Sequence, residues 1–131
     1  MELEKQCCTV EQAKKLVRLG VKIETINIWY FDTNLCEWKI TGWETQYYWE
    51  SSKLTIEWYP AHNVAELGIL LGKYYVVPGK FGWNVKKRLS PQIVQYRIKG
   101  MTLDFPESQA RAAALIWLID NKYINPEDLK L

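Results

Sequence analysis

Four side chains in this sequence could be reactive: one histidine and three cysteines. Histidine is the side chain most easily tuned to act as an acid or a base near neutral pH. His62, however, has no cysteine, second histidine or nearby serine at the spacing of a metal site or a catalytic triad. The sequence therefore predicts a structural position for His62, just before the cap of a helix.

Cys7 and Cys8 are neighbours in the chain and could form a redox pair or a pair of metal ligands, whereas Cys36 is isolated. An odd number of cysteines and two adjacent thiols are unusual for ordinary disulfide bridges. We therefore favour free thiols close to the start of a helix over a pair of ligands. The sequence predicts no metal and no cofactor.

Familiar catalytic motifs are absent from the sequence. It contains no P-loop, no dinucleotide-binding glycine motif, no serine nucleophile elbow and no His-Glu-x-x-His. Carboxylates are scattered along the chain, so a catalytic acid pair would have to be assembled by the fold. We predict that the protein is not an enzyme and assign no catalytic residue.

Charge is unevenly distributed along the chain. Residues 67–103 carry seven basic and no acidic side chains, or +7, and the remainder carries ten basic and fifteen acidic ones, or −5, for a net charge of +2. A basic loop with an aromatic residue within this segment suggests a nucleic-acid-binding site. Its candidate residues are Lys80, Trp83, Lys86, Lys87 and Arg88. The cations would contact phosphates and the indole would stack on a base. We prefer the competing interpretation, a solvated basic loop with Trp83 tucked into a sheet edge.

Three segments have the pattern of helices. The first begins at a Thr9–Gln12 capping box and closes at Gly20, and a short central helix spans residues 63–72. The last and strongest covers residues 106–123 and includes an uninterrupted apolar run from 112 to 119. Such a helix is buried on most sides or docks a partner. We expect the following residues to be mostly buried, within the monomer or at a homodimer contact: Leu115, Trp117, Leu118 and Ile119.

Strand-forming segments fill most of the chain between these helices. They are rich in β-branched and aromatic residues and are separated by turn residues, at 25–31, 35–41, 45–49, 54–59, 74–77 and 93–98. Pro60 is expected to end the fourth of them, because proline cannot donate to a ladder. Because the strands are contiguous, we predict an α+β fold with one antiparallel sheet of about five to seven strands. The opening and closing helices would pack on one face of that sheet, in a single domain over residues 1–131.

The amino-terminal segment "MELEKQCCTV" contains acids and no apolar run, which is unlike a secretory signal. The longest apolar stretch is about a third of a bilayer span. We therefore expect a cytoplasmic protein without a membrane partner.

Three segments, in this order, resemble a group of small phage and prophage proteins of gut anaerobes: "TVEQAKKLVRLG", "YPAHNVAELGILLG" and "ESQARAAALIWLIDNKYI". The resemblance covers about a third of the chain and implies a phage-derived, cytoplasmic context. It implies no activity, since the group has no assigned one. The position of His62 is usually a proline in these proteins, which weakens a catalytic role for His62.

Aromatic composition bears most directly on function. Seven tryptophans and eight tyrosines stand against three phenylalanines, and Trp and Tyr suit interfaces and stacking platforms. We therefore predict a non-enzymatic accessory or protein-interaction protein whose partner is another protein or a second copy of the chain. Single-stranded nucleic acid bound by the loop 80–88 is the alternative. A platform for carbohydrate or small ligands is a third, weaker one.

Overall fold

A computed structural model describes residues 2–88, 93–98 and 100–129. Along the described chain the elements follow in this order: α1 (Leu3–Gln6), α2 (Val10–Arg18), β1 (Asn27–Asp32), β2 (Glu37–Gly42), α3 (Thr45–Ser51), β3 (Trp58–Ala61), α4 (Val64–Leu71), β4 (Tyr74–Gly79), β5 (Gly82–Arg88), β6 (Ile93–Arg97), α5 (Glu107–Asp120) and a 3-10 turn (Pro126–Asp128).

The strands form two antiparallel sheets of three. Sheet 1 has the order β2-β1-β3 and sheet 2 has the order β4-β5-β6. The α+β class and the antiparallel pairing are thus confirmed, but the strands do not join into one sheet of five to seven. The opening and closing helices also divide between the sheets, since α2 packs on β3 and α5 packs on β4.

The helix predictions rested on local capping chemistry and are confirmed. The Thr9 side chain accepts from Gln12 N and the Gln12 side chain accepts from Thr9 N, which closes a capping box at the start of α2. Asn63 and Glu66 form the same box at the start of α4. Gly20 has a φ of +93°, the left-handed conformation expected after the end of a helix.

Of the two strands predicted between residues 45 and 59, the first is wrong and the second is confirmed in part. Residues 45–51 form helix α3, although their aromatic character favours a strand, and Trp49 of this helix packs on Tyr30 of β1 at 5.3 Å between ring centroids. Of the segment 54–59 only Trp58 and Tyr59 belong to a strand, and β3 continues through Pro60 to Ala61, so the proline does not end it. Proline is tolerated there because β3 pairs only with β1, at the edge of sheet 1.

Sheet 2 also differs from the sequence prediction. The segment 80–88, predicted as a basic loop with room for a short strand or turn within it, is a turn at Lys80 and Phe81 followed by strand β5 over its remaining residues. Pro78 and Gly79 do not end β4, since they pair with Trp83 and Gly82 of β5. The predicted strand 93–98 is confirmed as β6.

The core joins both sheets to the helices. Its fully buried large side chains include Leu16 of α2, Leu67 of α4 and Val85 of β5. Three of the four predicted core residues of α5 are buried, namely Leu115, Leu118 and Ile119. The fourth, Trp117, is half-buried and stacks on Tyr123 at 5.6 Å. Arg111 of α5 donates to the Val64 carbonyl of α4 at 2.7 Å. Its guanidinium lies close to Gly68, and a side chain at position 68 would collide with it.

Candidate functional site

His62 lies between β3 and the cap of α4, as predicted, with its imidazole inside the protein. The side chain is 1% exposed, and its Nδ1 is buried without a hydrogen-bond partner among the described residues. Burial lowers the pKa of His62 from 6.5 to about 4. The ring is therefore neutral at physiological pH and out of reach of a substrate in solution.

Cys7 and Cys8 are buried free thiols on the strand-like segment that meets His62. Cys8 N donates to the His62 carbonyl at 2.9 Å, and Cys7 pairs with Asn63 in an isolated bridge. Burial raises the pKa of Cys7 to about 11 and that of Cys8 to about 12, so both thiols are protonated near neutral pH. Within the described part of the chain, no three histidine, cysteine or acidic side chains are grouped to hold a metal ion.

Strand β5 separates the residues that the sequence suggested for nucleic-acid binding. Trp83 and Lys87 share the face of sheet 2 that contains buried Val85, while Lys86 lies on the opposite face. Trp83 Nε1 donates to the Phe105 carbonyl at 3.2 Å, and Lys87 Nζ lies 5.5 Å from the ring centre of Tyr74. Lys80 lies in the turn before the strand. Arg88 ends β5, and its side chain lies outside the described residues.

A half-open groove of about 660 Å³ lies against sheet 1. Five parts of the chain line it: Val17 of α2, the segment from Val21 to Ile28, the turn at Trp43 with the start of helix α3, strand β3, and Glu66 of α4. The aromatic residues of its wall are Trp43, Tyr47, Trp58 and Tyr59. We name this feature the aromatic groove. A pocket of this size is within the range that holds a drug-sized molecule or several side chains of a partner.

The rim of the aromatic groove is unusually apolar for a surface. Ile26 is 61% exposed and Tyr47 is 53% exposed, and Trp43 packs edge-on against Tyr47 at 5.4 Å. Trp58 is also exposed at the rim. Large aromatic side chains that remain exposed around a cavity are characteristic of a binding site.

Glu66 connects the groove to the start of α4. Its Oε1 accepts from Asn63 N at 2.9 Å, and its Oε2 accepts from Ile26 N at 3.1 Å. The carboxylate is buried, yet both oxygens are hydrogen-bonded to backbone amides. Glu66 therefore holds the segment 21–28 in place and contributes negative charge to the groove wall.

Sequence reasoning did not find the aromatic groove. The excess of Trp and Tyr was a signal that an aromatic surface exists, but it did not locate that surface. Trp43 lies in the turn that leads into helix α3 and meets Tyr47 of that helix, whereas the aromatic character of residues 45–49 had suggested a strand. A helix that began at Trp43 would have placed the two rings four residues apart on one side of it.

Comparison with protein-family models, with curated proteins and with solved structures found no match. The function must therefore be argued from the geometry of the chain itself. Within residues 2–88, 93–98 and 100–129, no helix combines the length and the apolar character needed to cross a bilayer.

Proposed function

We propose that this protein is a non-enzymatic interaction protein whose aromatic groove binds an apolar segment of a partner protein flanked by lysine or arginine. The observation that carries the proposal is the set of exposed aromatic side chains around a cavity of about 660 Å³. Neither the histidine nor the paired thiols supply a reactive group there, because they are buried elsewhere in the core.

The residue types of the groove match those of interface cores. Tyrosine and tryptophan provide large contact areas at low entropic cost and dominate binding energy at protein interfaces. Trp43, Tyr47 and Trp58 surround a space that a leucine, phenylalanine or similar side chain of a partner would fill. The groove therefore favours an apolar anchor over a polar ligand.

Charge determines what should flank this anchor. The charged residues that line the groove are Glu24 and buried Glu66 against Lys22, so acidic side chains are in excess there. A partner with basic residues beside its apolar anchor is attracted to this side of the molecule, and an acidic one is repelled.

The phage-derived, cytoplasmic context is part of the same proposal. Its support is the resemblance of three sequence segments to small phage and prophage proteins. In that context the partner would be a protein of the phage or of its host cell.

A peptide selection tests the proposal without assuming the sequence of the ligand. Random peptides of about 12 residues would be selected against the immobilised protein, and the affinities of the enriched peptides measured by tryptophan fluorescence. We expect the enriched sequences to combine a large apolar residue with lysine or arginine. Tyr47→Ala should weaken their binding by about tenfold or more.

Tyr48 offers a matched control on the same helix. Tyr48 is 72% exposed but does not line the groove, so Tyr48→Ala should leave the affinity unchanged. Equal effects of the two variants, or selection without enrichment of an apolar and basic pattern, would contradict the proposal. Preferential binding of a carbohydrate or of a second copy of the chain in the groove would also overturn it.

A further inference from the structure

The second surface of interest is the face of sheet 2 directed away from the core. The core-facing side chains are Tyr74, Val76 and Val85, together with Tyr96, which contacts Trp117 of α5. Because side chains alternate along a strand, the residues between them point the other way. We name this the outer face of sheet 2, and its described members are Tyr75, Val77, Asn84, Lys86, Gln95 and Arg97.

Phe81 stands at the edge of this face, in the turn between β4 and β5. Its side chain is 74% exposed, the highest exposure among the large apolar residues described. Lys80 Nζ lies 5.6 Å from the centre of its ring and Arg97 Cζ lies 5.4 Å from it. An apolar ring thus remains in solvent with two cations beside it, an arrangement that has no function in packing the core.

The strands that form this face carry no acidic side chain to neutralise its cations. Residues 67–103 contain no aspartate or glutamate. In the part of the chain that the structure describes, Lys80, Lys86 and Arg97 take part in no ion pair. Their field is therefore available to an anionic ligand.

A depression of about 310 Å³ adjoins Phe81, so the surface combines positive charge with a space for part of a ligand. It is lined by Phe81, Arg97, Ile98, Gly100, Met101 and Thr102. A planar ring inserted there would contact Phe81 on one side and the Arg97 guanidinium nearby. Aromatic and guanidinium planes are the groups on which unpaired bases stack.

We propose that the outer face of sheet 2 binds single-stranded nucleic acid, with a base stacked on Phe81 and with Lys80, Lys86 and Arg97 contacting phosphates. This surface differs from the one that the sequence suggested. Trp83 and Lys87 point toward the core side of sheet 2 and are excluded, while Phe81 and Arg97 take part. An acidic protein would also be attracted by the cations, but it would gain little from an exposed phenyl ring.

Fluorescence anisotropy with a labelled oligo-dT and a labelled oligo-U of about 20 nucleotides tests this proposal. We expect measurable binding that weakens with salt, with a log–log slope near −2 for three phosphate contacts. Phe81→Ala should weaken the affinity by about tenfold, while the salt slope stays the same because no charge is removed. Lys86→Gln should reduce the slope by about 0.7.

Lys87→Gln is the matched control, since it removes the same charge from the neighbouring residue on the opposite face. It should change the affinity and the slope less than Lys86→Gln. Equal effects of the two variants would mean diffuse electrostatic attraction and would overturn the proposal, as would the absence of binding at about 0.05 M salt. Binding of poly-glutamate as tight as that of the oligonucleotides would assign the face to an acidic protein instead. Tyr47→Ala in the aromatic groove should not affect oligonucleotide binding, so the two surfaces are tested separately.

Discussion

His62 shows how much a single side chain can couple folding to pH. In the folded protein its imidazole is buried, and its pKa is lowered to about 4, whereas in the unfolded chain it titrates near its ordinary value of 6.5. The unfolded state therefore binds a proton more readily than the folded state between these two values. The stabilisation due to neutral His62 is complete above about pH 6.5 and is lost as the pH falls toward about pH 4.

We predict that His62 accounts for about 3 kcal/mol of lost unfolding free energy between about pH 7 and about pH 4, since one pKa unit corresponds to about 1.4 kcal/mol. Urea unfolding followed by tryptophan fluorescence at several pH values measures it. His62→Leu has a similar volume and cannot titrate, so the difference between wild type and variant isolates the histidine from the carboxylates. If both proteins lose stability in parallel, the imidazole is not the titrating group.

At the scale of the element, α5 is the helix on which the packing depends most. It contacts α1, α2, α4 and β4, and Leu118 in its last turn is 0% exposed. By contrast, α3 has no buried residue and no side-chain cap. Trp49 on Tyr30 and the Thr41–Thr45 hydroxyl pair at 3.1 Å attach it to sheet 1. The wall of the aromatic groove is thus built from a weakly anchored element.

We predict that Leu118→Ala lowers the free energy of unfolding by about 2–5 kcal/mol, through lost burial and the cavity that remains. Thermal and denaturant melts provide the measurement. Ile116→Ala on the same helix is the comparison, because Ile116 is only partly buried and should cost less. A neutral result for Leu118→Ala would show that the helix is peripheral to the core.

Local chemistry explains which elements the sequence could predict. Capping boxes at Thr9 and Asn63 act within four residues, and both helices follow from them. Helix α3 and the strand order of sheet 1 involve contacts with β1, which is distant in sequence, and the sequence suggested a strand in place of α3 and one sheet in place of two. The aromatic groove and the position of Phe81 could not be predicted for the same reason. Each is assembled by strand pairing and not by spacing along the chain.

At the scale of the whole molecule, the two sheets carry opposite charge. Residues 27–61, which span sheet 1, have five acidic and two basic side chains, while residues 74–97, which span sheet 2, have five basic and no acidic ones. The sequence pI of about 8.4 reflects only the net charge and does not show that the acidic and basic side chains lie in different parts of the molecule. This distribution is the basis on which we propose a basic ligand for the aromatic groove and an anionic one for the outer face of sheet 2.

We predict that the protein binds a cation exchanger at low salt even at a pH near 8.4, where its net charge is close to zero. The double variant Lys86→Gln, Arg97→Gln should elute at lower salt than a control double variant, Lys5→Gln, Lys15→Gln, of identical net charge. Coelution of the two variants would mean that the column responds to net charge alone.

Helix α5 also has a consequence for synthesis on the ribosome. Ser108 donates to the Lys5 carbonyl and the Gln12 side chain donates to the Gln109 carbonyl, so α5 meets segments made about a hundred residues earlier. Until residues 107–120 have been translated, the parts of α2 and α4 that pack on α5 are uncovered. The nascent chain therefore stays partly collapsed, with apolar surface exposed, until α5 has been made. Holdase chaperones, which bind apolar surfaces, can bind it during that interval.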